Sequence, residues 1–170
     1  MFTRTPRHVM RILDRLPLYD KTTIVSVGNG EVVQVKQNQI IVRVSINDTL
    51  RSFPAILDTG YSHNFGIMRQ HLDRWSGADL KQSGEANVSG VLVPQFKAIL
   101  HIHRNQPGSR WLTGETYALE MNDRISVAPD DSFAATRLSV IGLRSLIWND
   151  LTLIMNGKNR QITLKTDGWF

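Results

Sequence analysis

The sequence predicts an all-β, single-domain protein with one or two short helices. Three observations point there. The segment Ile40–Ile46 alternates cleanly, with Ile40, Val42, Val44 and Ile46 on one face and Ile41, Arg43 and Ser45 on the other. Turn-forming pairs rich in glycine and asparagine separate one β-prone run from the next. The 170 residues contain no repeat, low-complexity tract or linker, and typical domains hold roughly 100–150 residues.

Taken in order, residues 7–18 predict a short amphipathic helix, with Val9, Ile12, Leu13 and Leu16 at helical spacing before Pro17. This segment belongs to a basic N-terminal extension, residues 1–22, ahead of a domain spanning 23–170. Thr22–Val27 and Glu31–Val35 flank Gly28-Asn29-Gly30 and predict a hairpin. After the alternating strand, Asn47-Asp48-Thr49 turns the chain into a second strand, Leu50–Leu57, which delivers Asp58. Pro54 inside that strand lacks a ladder donor and predicts a bulge or an edge.

Ile67, Met68, His71, Leu72 and Trp75 predict a helix over 66–76, with Gly77 as its stop. The small and polar stretch Gln82–Gly90 reads as a mobile hairpin or loop between apolar segments, and Val91–His103 returns to strand character. Asn105–Ser109 predicts a turn, Trp111–Val127 one or two strands, and Ala128–Ser132 a surface loop. Leu138–Ile141 is an apolar strand stopped by Gly142, and Leu143, Leu146 and Ile147 suit one or two helical turns. Leu151–Met155 and Arg160–Leu164 flank Asn156-Gly157, the signature of a type I′ hairpin.

Composition narrows the chemistry. The chain has no cysteine, which excludes disulfides, thiolate metal sites and cysteine nucleophiles. No apolar run approaches the roughly 18 residues that read as a membrane span. The basic N-terminus leads into no signal-like apolar stretch, so a cytoplasmic location is expected. Five basic residues (Arg4, Arg7, Arg11, Arg15, Lys21) against Asp14 and Asp20 place +3 of the net +5 in the first 23 positions. The rest is near neutral, which argues against a broad nucleic-acid surface. No Gly-x-Ser-x-Gly elbow and no phosphate-binding glycine loop is present.

Asp58-Thr59-Gly60 is the segment with most to say about function. Its carboxyl ends the apolar run Phe53-Pro54-Ala55-Ile56-Leu57, where an unpaired charge is a poor packing choice. It is a good choice for chemistry that needs a proton affinity set by surroundings. The competing reading is an Asx-turn at a strand end, and Thr59 and Gly60 suit simple turn chemistry equally well.

An alternating strand, a turn, a strand ending in Ile-Leu-Asp-Thr-Gly and, about 80 residues later, Val140-Ile141-Gly142-Leu143-Arg144-Ser145-Leu146 together resemble the retropepsin-like aspartic peptidases. The resemblance covers residues 24–166. It implies a closed β-barrel of the acid protease fold. It also implies a catalytic Asp58, a Thr59 that bonds across to its counterpart, and a Gly60 that lets substrate backbone approach. Val140-Ile141-Gly142 takes the part of the strand that crosses behind the aspartate loop, and Ser83–Val91 that of the flap. Tyr61 stands where alanine or serine is most usual and resembles a bacterial-type subfamily mark at the substrate-binding site.

Such peptidases use two facing carboxyls that share one proton. This chain holds a single Asp-Thr-Gly, so the resemblance implies a homodimer with the site on its twofold axis. Water is the nucleophile, so no metal or organic cofactor is implied, and the partners are a second copy and a peptide or protein substrate. No nucleic-acid or membrane partner is expected. His101 and His103 share a strand face and, with His63 or His71, could make a zinc site; a coincidence on a polar strand is the plainer reading. His63, five residues after Asp58, is either near the site or a loop residue. Two rivals to the enzyme remain: a peptide-binding module of the same fold without turnover, and a basic β-barrel that binds nucleic acid.

Overall fold

The computed structural model describes residues 11–47, 49, 51–104, 116–121, 124–130 and 138–166. Fourteen strands and two short helical segments appear among them, in three sheets. Expectations for residues 1–10, which include the start of the helix predicted over 7–18, and for residues 105–109, 111–115 and 131–132 lie outside the described residues.

The first element corrects the predicted helix. β1 (Arg11–Pro17) is a strand, paired antiparallel with β14 (Gln161–Thr166). A bulge between Ile12 and Asp14 inserts one residue, and Leu13 and Leu16 are both buried although three apart. A bulged strand therefore shows the same spacing as a helix face. β13 (Leu151–Asn156) pairs with the other side of β14 and completes a three-stranded sheet.

β2 (Thr23–Ser26) and β3 (Val32–Val35) form the expected hairpin, with Gly28 and Gly30 at positive φ in its loop. β4 (Ile40–Ile46) is buried on both faces save for half-exposed Arg43. The Arg43 guanidinium donates to the carbonyls of Ser26 (2.9 Å), Val27 (3.1 Å) and Ser52 (3.0 Å). It thereby ties the hairpin over the face that alternation alone would leave wet.

The nine-stranded sheet runs β10-β9-β4-β5-β12-β6-β11-β8-β7. Its members are β5 (Phe53–Asp58), β6 (Phe65–Met68), β7 (Gln82–Val88), β8 (Val91–Phe96), β9 (Ile99–His103), β10 (Tyr117–Glu120), β11 (Ile125–Ala128) and β12 (Ser139–Gly142). Its two ends, β10 and β7, do not meet, so the sheet is open where a closed barrel was expected. Pro54 makes no bulge: it pairs in register with Arg43 and precedes the first rung to β12, at Ala55.

The predicted helix over 66–76 begins later than expected. Ile67 and Met68 lie in β6, and the helical part is a turn, α1 (Arg69–His71), continuing as a π-helical turn over Leu72–Ser76. Gly77 ends it at φ 62°, as expected of a left-handed stop. α2 (Leu143–Trp148) follows Gly142. Asn156 is the last residue of β13 and pairs with Gln161, so the final hairpin turns through four residues, Gly157–Arg160, and not through a type I′ pair. The main core has Phe53, Phe65, Ile41, Ile46, Leu100 and Ile141 fully buried, and a separate small cluster joins Val88, Val93 and Ala128, with Tyr61 and Val91 packed against it. No helix among the described residues is long and apolar enough to cross a membrane.

Candidate active site

Consecutive strands usually neighbour one another, but β5 and β6 do not. β12 lies between them, parallel to β5 and antiparallel to β6. The connection, residues 59–64, must therefore arch across the end of β12. Register places Gly142 opposite Asp58 and Ile141 opposite both Leu57 and Phe65. The Gly142 N–H donates to the Asn64 carbonyl (2.9 Å), and so does the Ser145 hydroxyl at the start of α2 (2.6 Å).

Only glycine fits at position 142. A Cβ there would lie 2.6 Å from the Tyr61 carbonyl oxygen and closer still to that of His63. The backbone of the loop is thus packed directly onto the backbone of β12, which is what a strand crossing behind the Asp58 loop requires.

Asp58 is exposed at the end of β5. Its Oδ1 accepts the Gly60 N–H (2.8 Å) and its carbonyl accepts the Tyr61 N–H (3.2 Å), an Asx-turn. Oδ2 has no hydrogen-bond partner among the described residues. A side chain at Gly60 would crowd Oδ1 at 3.3 Å. Thr59 and Gly60 are exposed beside the carboxyl. The turn chemistry weighed as an alternative is present, and it holds the carboxylate in one orientation at the surface.

Tyr61 turns back under the loop. Its ring packs against His63 (centroids 5.6 Å, tilted 53°) and over Gly66, where a Cβ would fall 2.5 Å from the phenol oxygen. Its hydroxyl bonds Ser126, and Ser126 Oγ accepts from Gln95 Nε2 (2.6 Å). Burial pushes the Tyr61 phenol up from its ordinary value, and the bond from Ser126 opposes this in part. The ring remains a neutral phenol at physiological pH.

A cavity of about 200 Å³ opens beside the carboxyl, lined by Asp58, Tyr61, Met68, Val88, Ser89, Val93, Ala128 and Val140 among others. Val88 and Ser89 come from the hairpin of β7 and β8, which turns through Ser89 (φ 53°) and Gly90 (φ 85°). Two positive φ values in a two-residue loop are the type I′ geometry. The Gly90 N–H donates to Asn87 Oδ1 (2.8 Å). The stretch predicted as a mobile hairpin or loop is therefore a hairpin, with a register shift between Gln82 and Gly84, whose tip lines the Asp58 cavity. Its base is pinned where Gln95 and Phe96 pair with β11.

A larger cavity, about 500 Å³, lies elsewhere, between the β2–β3 hairpin and the helical turn. Ile24, Glu31, Val32, His71 and Trp75 line it, and Met68 lines both cavities. His71 stacks on Trp75 at 3.7 Å and 8°, and burial holds its imidazole below the ordinary histidine value. Glu31 accepts from Trp75 Nε1 (2.9 Å) and pairs with Arg74.

Apart from the His101–His103 pair on β9, the described histidines are dispersed. His103 bonds Ser45 Oγ (2.8 Å) on β4, His63 packs on Tyr61, and His71 stacks on Trp75. No group of three metal-ligating side chains gathers among the described residues. Gln95, Ser126 and Gly66 escaped the sequence reading. The available signal was a polar or small residue within an apolar strand, as in Val93-Pro94-Gln95-Phe96, Ile125-Ser126-Val127 and Phe65-Gly66-Ile67.

Comparison with protein-family models, with curated proteins and with solved structures finds no match to this chain.

Proposed function

We propose that this protein is an aspartic endopeptidase of the retropepsin-like kind, in which Asp58 supplies one of two catalytic carboxyls and a second copy supplies the other. One observation carries the reading: β12 threads between β5 and β6 and seats Gly142 directly beneath the Asp58 loop. That architecture fixes a surface carboxylate against a backbone platform, whereas a simple surface turn needs no such support.

In this reading two Asp58 carboxyls face each other and share a proton, because two close like charges do not both ionise. The ionised carboxyl takes a proton from a water as that water attacks the scissile carbonyl carbon. The protonated carboxyl donates to the carbonyl oxygen as negative charge develops on it. Titration belongs to the pair and not to either residue alone. Gly60 holds Oδ1, so the carboxyl is oriented before substrate arrives.

Substrate binds as an extended strand between the Asp58 loop and the Val88–Gly90 hairpin tip. The cavity of about 200 Å³ takes one side chain next to the scissile bond. A dry apolar cavity of roughly 150 Å³ holds a benzene ring, so a leucine, methionine or phenylalanine side chain fits and a charged one is rejected.

Replacing Asp58 with Asn tests the reading. The variant loses cleavage of an unfolded protein by ~10²-fold or more, with folding unchanged because the side chain is exposed. Cleavage by Asp58→Asn at the wild-type rate overturns the assignment. Wild type that binds extended peptides without hydrolysing them makes the protein a binding module instead.

A further inference from the structure

The β7–β8 hairpin is anchored apart from the main core. Its Val88 and Val93 join Ala128 in the small separate cluster, and Tyr61 brings the Asp58 loop to that same cluster. Two valines and an alanine make a thin apolar anchor for a hairpin whose tip lines the Asp58 cavity.

A chain of polar contacts supplements it. The Tyr61 hydroxyl bonds Ser126 of β11, and Gln95 Nε2 of β8 donates to Ser126 Oγ (2.6 Å). The Gln95 carbonyl accepts the Ser83 hydroxyl of β7 (3.2 Å), and the Ser83 carbonyl accepts from the Arg124 guanidinium. The contacts thus run from the Asp58 loop through β11 and β8 to the outer strand of the hairpin.

The middle of this chain is buried. Gln95 and Ser126 expose 5% and 3% of their surface, and their strand neighbours Phe96, Ile125 and Val127 are buried and apolar. Burying an amide or a hydroxyl is costly unless it is bonded, so packing alone gives no reason for either residue. Register gives none, because the backbone ladder already pairs Ser126 with Gln95. The far end is equally particular. Arg124 sits at φ 73°, which few residues other than glycine adopt, and its guanidinium lies where any Cβ at Gly84 would collide with it.

We infer that Gln95 and Ser126 are positioning residues, whose side-chain bond, continued to Tyr61, fixes the hairpin relative to the loop that carries Asp58. The kinetic consequence rests on the peptidase reading: substrate binds between that loop and the hairpin tip, so a hairpin held in place spares the cost of ordering it on binding. The chain of contacts is independent of that reading.

Two variants of the full chain break the middle link, Gln95→Leu and Ser126→Ala. Circular dichroism with thermal melting verifies the fold, and Ser126→Ala, which removes one oxygen, carries the test if Gln95→Leu does not fold. KM for a peptide substrate rises about 3- to 10-fold, the scale of one lost hydrogen bond, while kcat holds within about twofold. Amide hydrogen exchange speeds up over Glu85–Val93 and stays unchanged in β4 and β5, a local response that general destabilisation does not give. Tyr61→Phe shifts KM in the same direction. Combined with Gln95→Leu it adds little, because both act through Ser126.

Exchange that rises equally in β4 and β5, or effects of Tyr61→Phe and Gln95→Leu that add in full, overturns the inference. If KM and hairpin exchange are untouched while cleavage still depends on Asp58, the positioning role is wrong and the peptidase reading stands. If wild type cleaves nothing but hairpin exchange still rises in the variants, the tie between loop and hairpin stands and the peptidase reading falls.

Discussion

Two cavities among the described residues, one beside Trp75 and one beside Asp58, share only Met68 in their lining. The larger, near Trp75, has more volume, but Glu31, the one carboxylate among its lining residues, is already engaged by Trp75 and Arg74. Those contacts hold the Glu31 carboxyl below its ordinary value, with the Trp75 bond the first cause. The smaller holds Asp58, whose Oδ2 has no hydrogen-bond partner among the described residues and whose loop rests on a backbone platform at Gly142. Volume measures what fits; chemistry needs a group held in place with bonding capacity left over. By that criterion the smaller cavity is the one proposed as the site.

The contrast can be broken in order of expected effect. Gly142→Ala drives a methyl into two backbone carbonyls that cannot move independently of the loop. A destabilisation at or above the top of the ~1–3 kcal/mol range for overpacking is expected, with loss of cleavage. Chemical denaturation read alongside peptide hydrolysis measures both, and a stable, active variant removes the platform from the account.

Gly66→Ala comes next. Its new methyl meets the far end of the Tyr61 side chain, which can swing. A cost of about 1–2 kcal/mol is expected, with a shift in side-chain preference beside the scissile bond as the phenol moves into the small cavity. Cleavage-site profiling on a peptide library reads the shift. Glu31→Gln, which weakens the ties of Trp75 and Arg74 at the larger cavity, leaves cleavage unchanged. Loss of turnover in that variant would move the active site to the other cavity.

The smallest effect concerns pH. Burial lowers the imidazole values of His71 and His103 in the fold, so protonation favours the unfolded chain. Their contribution to stability is fully present above about 6.5, the unfolded value, and is lost as pH falls below it toward the folded values. Melting temperature should therefore fall modestly between pH 7 and pH 5, and less so in His103→Gln. A melting temperature that rises on acidification contradicts the assigned direction.

Much of the fold was legible because its signals are local. Gly28-Asn29-Gly30 turns a hairpin, Gly77 stops a helical turn, and the alternation of Ile40–Ile46 marks a strand. The strand Ser139–Gly142, legible from its apolar run, lies parallel beside the Asp58 strand. Misreadings arose where one spacing has two causes. Leu13 and Leu16 are three apart on a bulged strand, a spacing that also fits a helix. Ile67 and Met68 continue the periodicity of His71 and Trp75, yet pairing with β11 and β12 draws Phe65–Met68 into the sheet. Asn156-Gly157 has the composition of a two-residue turn, but Asn156 pairs with Gln161 and leaves four residues to turn.

The sequence by itself determined that the chain is mainly β, that it has no cysteine chemistry, and that a lone Asp58-Thr59-Gly60 ends an apolar strand. These follow from side-chain periodicity and residue type, which act over a few residues. Tertiary structure decided the open sheet, the tie between Arg43 of β4 and the carbonyls of Ser26 and Val27, and the seating of Tyr61 over Gly66. Each depends on which segments distant in sequence come to lie side by side. Asp58 is 84 residues from Gly142 in sequence, and only the parallel ladder between β5 and β12 brings them into contact.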